Sequence, residues 1–534
     1  MSVSITTKIL IFVALIFGWQ NVHALEPGDE VVRFRDHYEL NEVGDAKITR
    51  TYTFSPAHYA EVKAATGDPL RLLMGFTSSL DWRDVEIVDC HYDDANTRIV
   101  VELEQSGMAK SIESGKWEIK SRAKPGTLEL ITCRNDRVVI HTADASDWGP
   151  MSATISVNFV AGTEHVAFDE KSATVSFEHV PANSESIKEN SKKWSLEAKP
   201  TLMTALSKIY SNDAFTTFWT ARSIFQNQGD EPITRFQVRY QIEGLSSWSQ
   251  WNRSAIVYPG QTVVEGFFPV LDIDELNQLQ GRKTASVIAE YEYIDAEGNK
   301  VQEKDTHDIE LLPRNEVFFG SNSMEQKEVT WGTQHENLPI IVAAFCNSNE
   351  SVVQQLAGRI SGMAHGASSS YDPKEAANYL YAIWKFVEDN GIAVEKHAGA
   401  FDETIRFPRD LLVDRSGTPL DFAIFWASTA KAVGLSASIL VTPTDAIAVI
   451  ELPNGAKIPI AVEMHGQGKT LDDAYASGSD RYQTALNSDE YFLIDVAAME
   501  TYGVRAIELS RVEDDFLANQ KLTFEPLPVE NDNN

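Results

Sequence analysis

The chain has 534 residues, 43% of them hydrophobic, and a formal net charge of −32 from 78 acidic and 46 basic side chains. A surface of that sign repels phosphate backbones, whose binding rests on Lys and Arg, so nucleic-acid partners are excluded and anionic lipid surfaces are disfavoured. Past the first two dozen residues, the remaining length of about 510 suits three or four domains of ordinary size.

The N-terminus reads as a secretory signal over residues 1–24. Lys8 supplies a positive start, Ile9 to Trp19 an apolar run, and Val22-His23-Ala24 a small-x-small cleavage site. The apolar run is far short of the roughly 20 residues that span a bilayer, and no cysteine follows it to take a lipid. The expectation is an exported chain, periplasmic or extracellular, with no membrane insertion after cleavage.

Residues 25–180 read as an all-β, sandwich-like domain. Alternating runs such as Thr49 to Phe54 and Arg98 to Leu103 are separated by turn clusters at Asp94-Ala95-Asn96 and Lys124-Pro125-Gly126, and Ala153 to Phe159 closes the series. Residues 181–199 are polar and serine/lysine-rich, a linker composition. Residues 200–315 read as a second sandwich-like domain, with clean alternation at Arg235 to Ile242 and Ser286 to Tyr293. Its Trp248 and Trp251 stand in a serine-rich loop, where packing over a sheet edge is favoured over stacking on sugars. A further linker covers 316–338.

From 339 to 515 the pattern turns to helices followed by strands, an α+β order. Ser351 to Met363 has a helical period. Asp372-Pro373-Lys374-Glu375 opens a second helix by capping, and Asn390-Gly391 ends it. A third helix follows residue 418. Strands are expected at Ser438–Val441, Ala446–Leu452, Ile458–Val462 and Tyr491–Val496. Residues 516–534 end in Glu530-Asn531-Asp532-Asn533-Asn534 and have the composition of a disordered acidic tail.

The three cysteines form no CxxC pair and no cluster with zinc-ligand spacing. Export would permit a Cys90–Cys133 disulfide, against the alternative of two small buried side chains. Cys346 lies in the apolar run Ala343-Ala344-Phe345-Cys346 and reads as a core thiol with no base beside it.

Gly417-Thr418-Pro419-Leu420-Asp421 opens the third helix, and Gly434 stops it. Arg406-Phe407-Pro408-Arg409-Asp410 leads in, and Ile494-Asp495-Val496 with Gly503-Val504-Arg505 closes the segment. In order and spacing these runs resemble a transglutaminase-like domain of the papain-like superfamily, in a bacterial group where a β-sandwich precedes it. The resemblance covers about 310 residues and implies a cleft served by a cysteine, a histidine and an orienting carboxylate. This chain departs from that pattern at two of the three places. Pro419 stands at the cysteine position and Asp445 at the histidine position, while Glu463 keeps a carboxylate at the third. Proline carries no nucleophile, and an aspartate with a pKa near 3.9 is a poor base at neutral pH.

The expectation is therefore a non-catalytic protein that binds or scaffolds a protein or peptide ligand, with no cofactor and no metal. The alternative is an amide hydrolase or acyl transferase with a relocated nucleophile. Thr418 or Ser416 would supply the hydroxyl, with Glu463 and His465 on one face of a strand completing the group.

Overall fold

The structure is a computed structural model. It describes residues 32–66, 83–120, 128–146, 149–182, 193–212, 215–279, 281–295, 297–319, 335, 337–363, 369–395, 399, 403–488, 490–509, 517–518 and 520–521. The expected signal segment, the Lys124-Pro125-Gly126 turn, most of the 316–338 linker and the last thirteen residues lie outside them. Among the described residues strands make up 41% and helices 27%, in several sheets with a helical C-terminal region. Among the described residues no helix is long and apolar enough to cross a membrane.

The N-terminal unit has eleven strands in two sheets. Its strands are β1 (Val32–Leu40), β2 (Ala46–Phe54), β3 (Asp84–Asp93), β4 (Arg98–Ser106), β5 (Lys110–Glu113) and β6 (Lys116–Lys120). They continue with β7 (Glu129–Arg134), β8 (Arg137–Ser146), β9 (Gly149–Asn158), β10 (Glu164–Asp169) and β11 (Thr174–Glu178). The larger sheet runs β3-β4-β2-β1-β9-β8-β7 and the smaller β10-β11-β6-β5, with β1 and β9 parallel. Period-2 alternation sends Ile48, Tyr52, Ile99, Val101, Trp117 and Val175 into one shared core. A helix, α1 (Pro56–Thr66), follows β2 in a stretch expected to be all strand.

The expected Cys90–Cys133 disulfide is not formed, and neither cysteine is in a disulfide. Cys90 is on β3 and Cys133 on β7, the two opposite edges of the seven-stranded sheet. Six strand spacings of about 4.8 Å separate them along the sheet, whereas a disulfide needs Cα atoms within about 7 Å.

The next sheets are built from β12 (Lys193–Ala198), β13 (Thr201–Met203), β14 (Ala221–Gln226), β15 (Ile233–Ile242), β16 (Asn252–Val257), β17 (Thr262–Phe267), β18 (Lys283–Ile294) and β19 (Lys300–Leu312). They form a three-stranded sheet, β12-β14-β17, and a five-stranded sheet, β13-β19-β18-β15-β16. β12 lies inside the stretch expected as linker, because Trp194 and Leu196 alternate inward and pair with β14. Trp248 and Trp251 are half-buried on either contact of one guanidinium, with Arg239 4.6 and 4.4 Å from their ring centroids. Packing wins at this loop, as its sequence suggests.

The C-terminal region carries α2 (Leu338–Phe345), α3 (Ser351–Met363), α4 (Pro373–Asp389), α5 (Pro408–Asp414), α6 (Pro419–Ala432), α7 (Leu471–Leu486) and α8 (Val496–Thr501). Two short strands, β20 (Ala393–Val394) and β21 (Ser416–Gly417), pair in parallel. An antiparallel sheet, β24-β23-β22-β25, is formed by β22 (Ser436–Val441), β23 (Ala446–Glu451), β24 (Lys457–Ile460) and β25 (Phe492–Asp495). The expected helices and strands of this region are present. Helix α6 is buried from Leu420 to Trp426, a run that is apolar except for Asp421, as befits a helix covered on every side.

One continuous core joins this region to the preceding sheets, running from Leu196 to Leu517. The start of the expected disordered tail belongs to it. Leu517 is 2% exposed, its carbonyl accepts from Arg359 Nη1 at 2.6 Å, and Lys521 exchanges two 2.7 Å hydrogen bonds with the Asn390 side chain. The apolar residues Phe516 and Leu517 at the start of the tail were the available signal.

Candidate functional site

The start of α6 is where a reactive cysteine was expected to be missing, and its geometry is that of a closed helix terminus. Thr418 Oγ1 accepts from the Asp421 amide at 3.2 Å, and Asp421 Oδ2 accepts from the Thr418 amide at 2.8 Å. This is a reciprocal capping box with Pro419 as the first helical residue. Asp421 is fully buried, and burial raises its carboxyl above the ordinary range. Its other oxygen accepts from the Arg406 amide at 2.7 Å.

Arg406 ties the surroundings together. Its guanidinium reaches Asp421 at 3.2 Å, Glu395 at 2.9 Å and Asp414 at 3.1 Å, and Ser416 Oγ donates to Glu395 at 2.8 Å. Gly417 is required by close approach. A Cβ there would lie 3.0 Å from Asp421 Cβ and 3.1 Å from a Leu411 methyl. Both hydroxyls of the relocated-nucleophile reading are therefore engaged in holding this turn.

Asp445 and Glu463 do come together, on a residue that was not singled out in the sequence. Arg481, on α7, places Nη1 2.8 Å from Asp445 Oδ1 and 2.6 Å from Glu463 Oε1. Glu463 is partly buried, and burial raises its carboxyl while Arg481 opposes the rise. Asp445 stands just before β23. Glu463 lies in a single 3-10 turn, Val462–Met464, rather than on a strand. The Thr470–Asp473 capping box that starts α7 was the readable signal for the helix that brings Arg481.

The turn also separates Glu463 from His465. His465 is 2% exposed and stacks on Trp384 at 3.9 Å between ring centroids. Its Nε2 lies 3.1 Å from the Trp426 indole nitrogen, which can only donate. Nε2 is therefore the acceptor, and Nδ1 carries the proton toward Glu388 at 3.4 Å. Burial lowers the pKa of this imidazole, so it stays neutral. Trp426 is eight residues past Thr418, about 12 Å down the helix.

The Thr418–His465–Glu463 grouping is thus not assembled. Thr418 turns to Asp421, His465 to Trp426 and Glu388, and Glu463 to Arg481. Among the described residues no group of three His, Cys, Asp or Glu side chains is placed to hold a metal. Cys346 is 4% exposed at the end of α2, with burial pushing its thiol up to about 12.

A second charged cluster went unnoticed in the sequence. Glu350, Arg409 and Asp410 are each under 9% exposed, and Arg314 reaches Asp410 at 2.6 Å. Glu350 lies 3.4 Å from Arg409 Nε, yet neither of its oxygens accepts a hydrogen bond. Burial pushes its carboxyl up to about 7.

No family model matches the chain, and no curated protein matches it. Among solved structures, the crystal structure of a candidate protease from Parabacteroides distasonis aligns over 82% of this chain and 67% of its own. Its identity is 9% and its TM-score 0.17. The Enterococcus faecalis MSCRAMM ACE, described as binding its ligands by the collagen hug model, aligns over 53% of this chain and 95% of its own. Its identity is 8% and its TM-score 0.10. Neither likeness is close enough to assign a fold family or an activity to this chain.

Proposed function

We infer that this is an exported, non-catalytic protein, periplasmic or extracellular, that binds or scaffolds a protein or peptide ligand. Two sandwich-like β domains would carry a degenerate transglutaminase-like domain at residues 339–515. The observation that supports this reading is the Asp445–Arg481–Glu463 ion-pair group. The Arg481 guanidinium bridges Asp445, at the expected histidine position, and Glu463, the expected orienting carboxylate, and Arg is always protonated and takes up no proton. At the start of α6, Pro419 opens a capped helix, where the resemblance calls for a thiol.

The test is turnover by the full chain. Glutamine donors with primary amines, and peptide and simple amide substrates, should give no product above background. Product formation that is abolished by Glu463→Gln or Thr418→Val would overturn the reading. A serine-reactive probe forming an adduct at residues 416–418 would do so as well.

A further inference from the structure

The outer face of the seven-stranded sheet holds a hollow of about 420 Å³. Strand alternation builds it. Even-numbered residues of β1 and β2, such as Phe34, Tyr38, Ile48 and Tyr52, enter the core. Odd-numbered ones face outward. Arg35 pairs in register with Thr51 on one side and Thr154 on the other, and Thr53 pairs with Arg98. Arg137, on β8, closes the far end.

The charge of this hollow is unlike that of the chain as a whole. Arg35, Arg98 and Arg137 line it. Among the described residues neither Arg35 nor Arg137 is paired with a carboxylate, and both are exposed. Arg98 uses its Nε on Asp93 at 2.6 Å, which leaves the outer edge of its fork. The one carboxylate residue in the lining, Asp36, has its side chain on the core face, where Arg50 holds both oxygens at 2.8 Å. Glu39 and Glu102 share the outer face but lie outside the lining. In a chain of net charge −32, three guanidiniums around one hollow are a local reversal of sign.

The spacing and chemistry restrict what fits. Arg98 on β4 and Arg137 on β8 are four strand spacings apart in the sheet order and six residues apart along the register, Arg98 level with Arg33 and Arg137 with Glu39; their backbones are roughly 28 Å apart, with Arg35 between them. A single small anion cannot meet all three. Between the cations stand hydroxyls, from Thr49, Thr51, Thr53, Thr154 and Ser156. The one ring in the lining is the His37 imidazole, whose Nδ1 lies 2.8 Å from Ser156 Oγ and whose Nε2 lies 3.5 Å from Glu39 Oε1. No Phe, Tyr or Trp lines the hollow, so a nucleobase or a neutral sugar face has no broad stacking platform there. We propose that this face binds an acidic oligosaccharide, a chain whose repeated carboxylates meet the arginine forks and whose hydroxyls pair with the threonine rows.

The experiment is calorimetric titration of the full chain with a trimeric or tetrameric galacturonate. Maltotriose, inorganic phosphate and a short polyglutamate peptide serve as comparison probes. Saturable binding of the galacturonate is expected, at least tenfold tighter than maltotriose. Arg35→Ala and Arg137→Ala should each weaken it fivefold or more, with the unfolding transition unchanged. No galacturonate binding, or equal binding by both variants, overturns the proposal. Equal or tighter binding of phosphate or of the peptide overturns the saccharide assignment.

Discussion

Glu350→Gln isolates the cost of one buried charge. Glu350 is 8% exposed, and its carboxyl titrates near 7 against an ordinary 4.5. The folded chain holds this proton where the unfolded chain has released it. The stability tied to it is therefore fully present below about pH 4.5 and is lost as pH rises through about 7. Above that pH the ionised carboxylate costs about 3 kcal/mol. Glutamine mimics the protonated side chain at every pH. At pH 8.5 the variant should therefore be more stable than the parent by about 2–3 kcal/mol, and near pH 4.5 the two should coincide. The shared core is some 320 residues long, so about 3 kcal/mol corresponds to roughly 4 °C in its transition temperature. Differential scanning calorimetry across pH 4.5–8.5 reads the difference. A shift of the same size at both ends, or a variant less stable than the parent at pH 8.5, would show that the Arg409 and Arg314 charges already compensate Glu350.

Gly478→Ala should destabilise, although alanine gains about 1 kcal/mol in an unconstrained helix. The new Cβ would lie 2.4 Å from the Pro459 carbonyl oxygen, forcing α7 off β24. A raised transition temperature would refute the contact. His465→Ala should cost about 3 kcal/mol, since it orphans the Trp426 indole N–H and removes the ring stacked on Trp384. In the parent chain, protonation of His465 is opposed by burial. Stability should therefore fall as pH drops below about 6.5, and this component should vanish in His465→Gln. Arg481→Met should cost about 1 kcal/mol at neutral pH by leaving Glu463 partly buried beside Asp445. Non-reducing mass analysis should find no Cys90–Cys133 crosslink, and Cys346 should resist alkylation until the chain unfolds. A linked pair would contradict the strand order.

Local signals carried the C-terminal elements well. The Thr418–Asp421 box, the Asn390-Gly391 stop and the helical period from Ser351 are short-range features, and each corresponds to a hydrogen bond or a buried face in the structure. What was not legible depends on contacts distant in sequence. Arg481 reads as an ordinary surface cation until α7 brings it to Asp445 and Glu463. Glu463 and His465 are two apart and would share a face on a strand. The chain tightens into a 3-10 turn there and sends them to different partners. Cys90 and Cys133 lie in similar strand-like runs, and only sheet order, with β1 and β9 paired in parallel, shows that the two runs lie at opposite edges. Leu517 was lost in the average composition of its neighbours.

The continuity of the core from Leu196 to Leu517 bears on synthesis. Among the described residues the buried members of the N-terminal core run from Val32 to Phe177, with Tyr258 the one later member, so that unit can close early on the ribosome. The second core cannot close until its last contributor has been made. At about 5–20 residues per second, the roughly 320 intervening residues take on the order of 15–60 s. During that interval the β-rich half presents apolar surface that the C-terminal region, made later, will cover. A holding chaperone would act in that window.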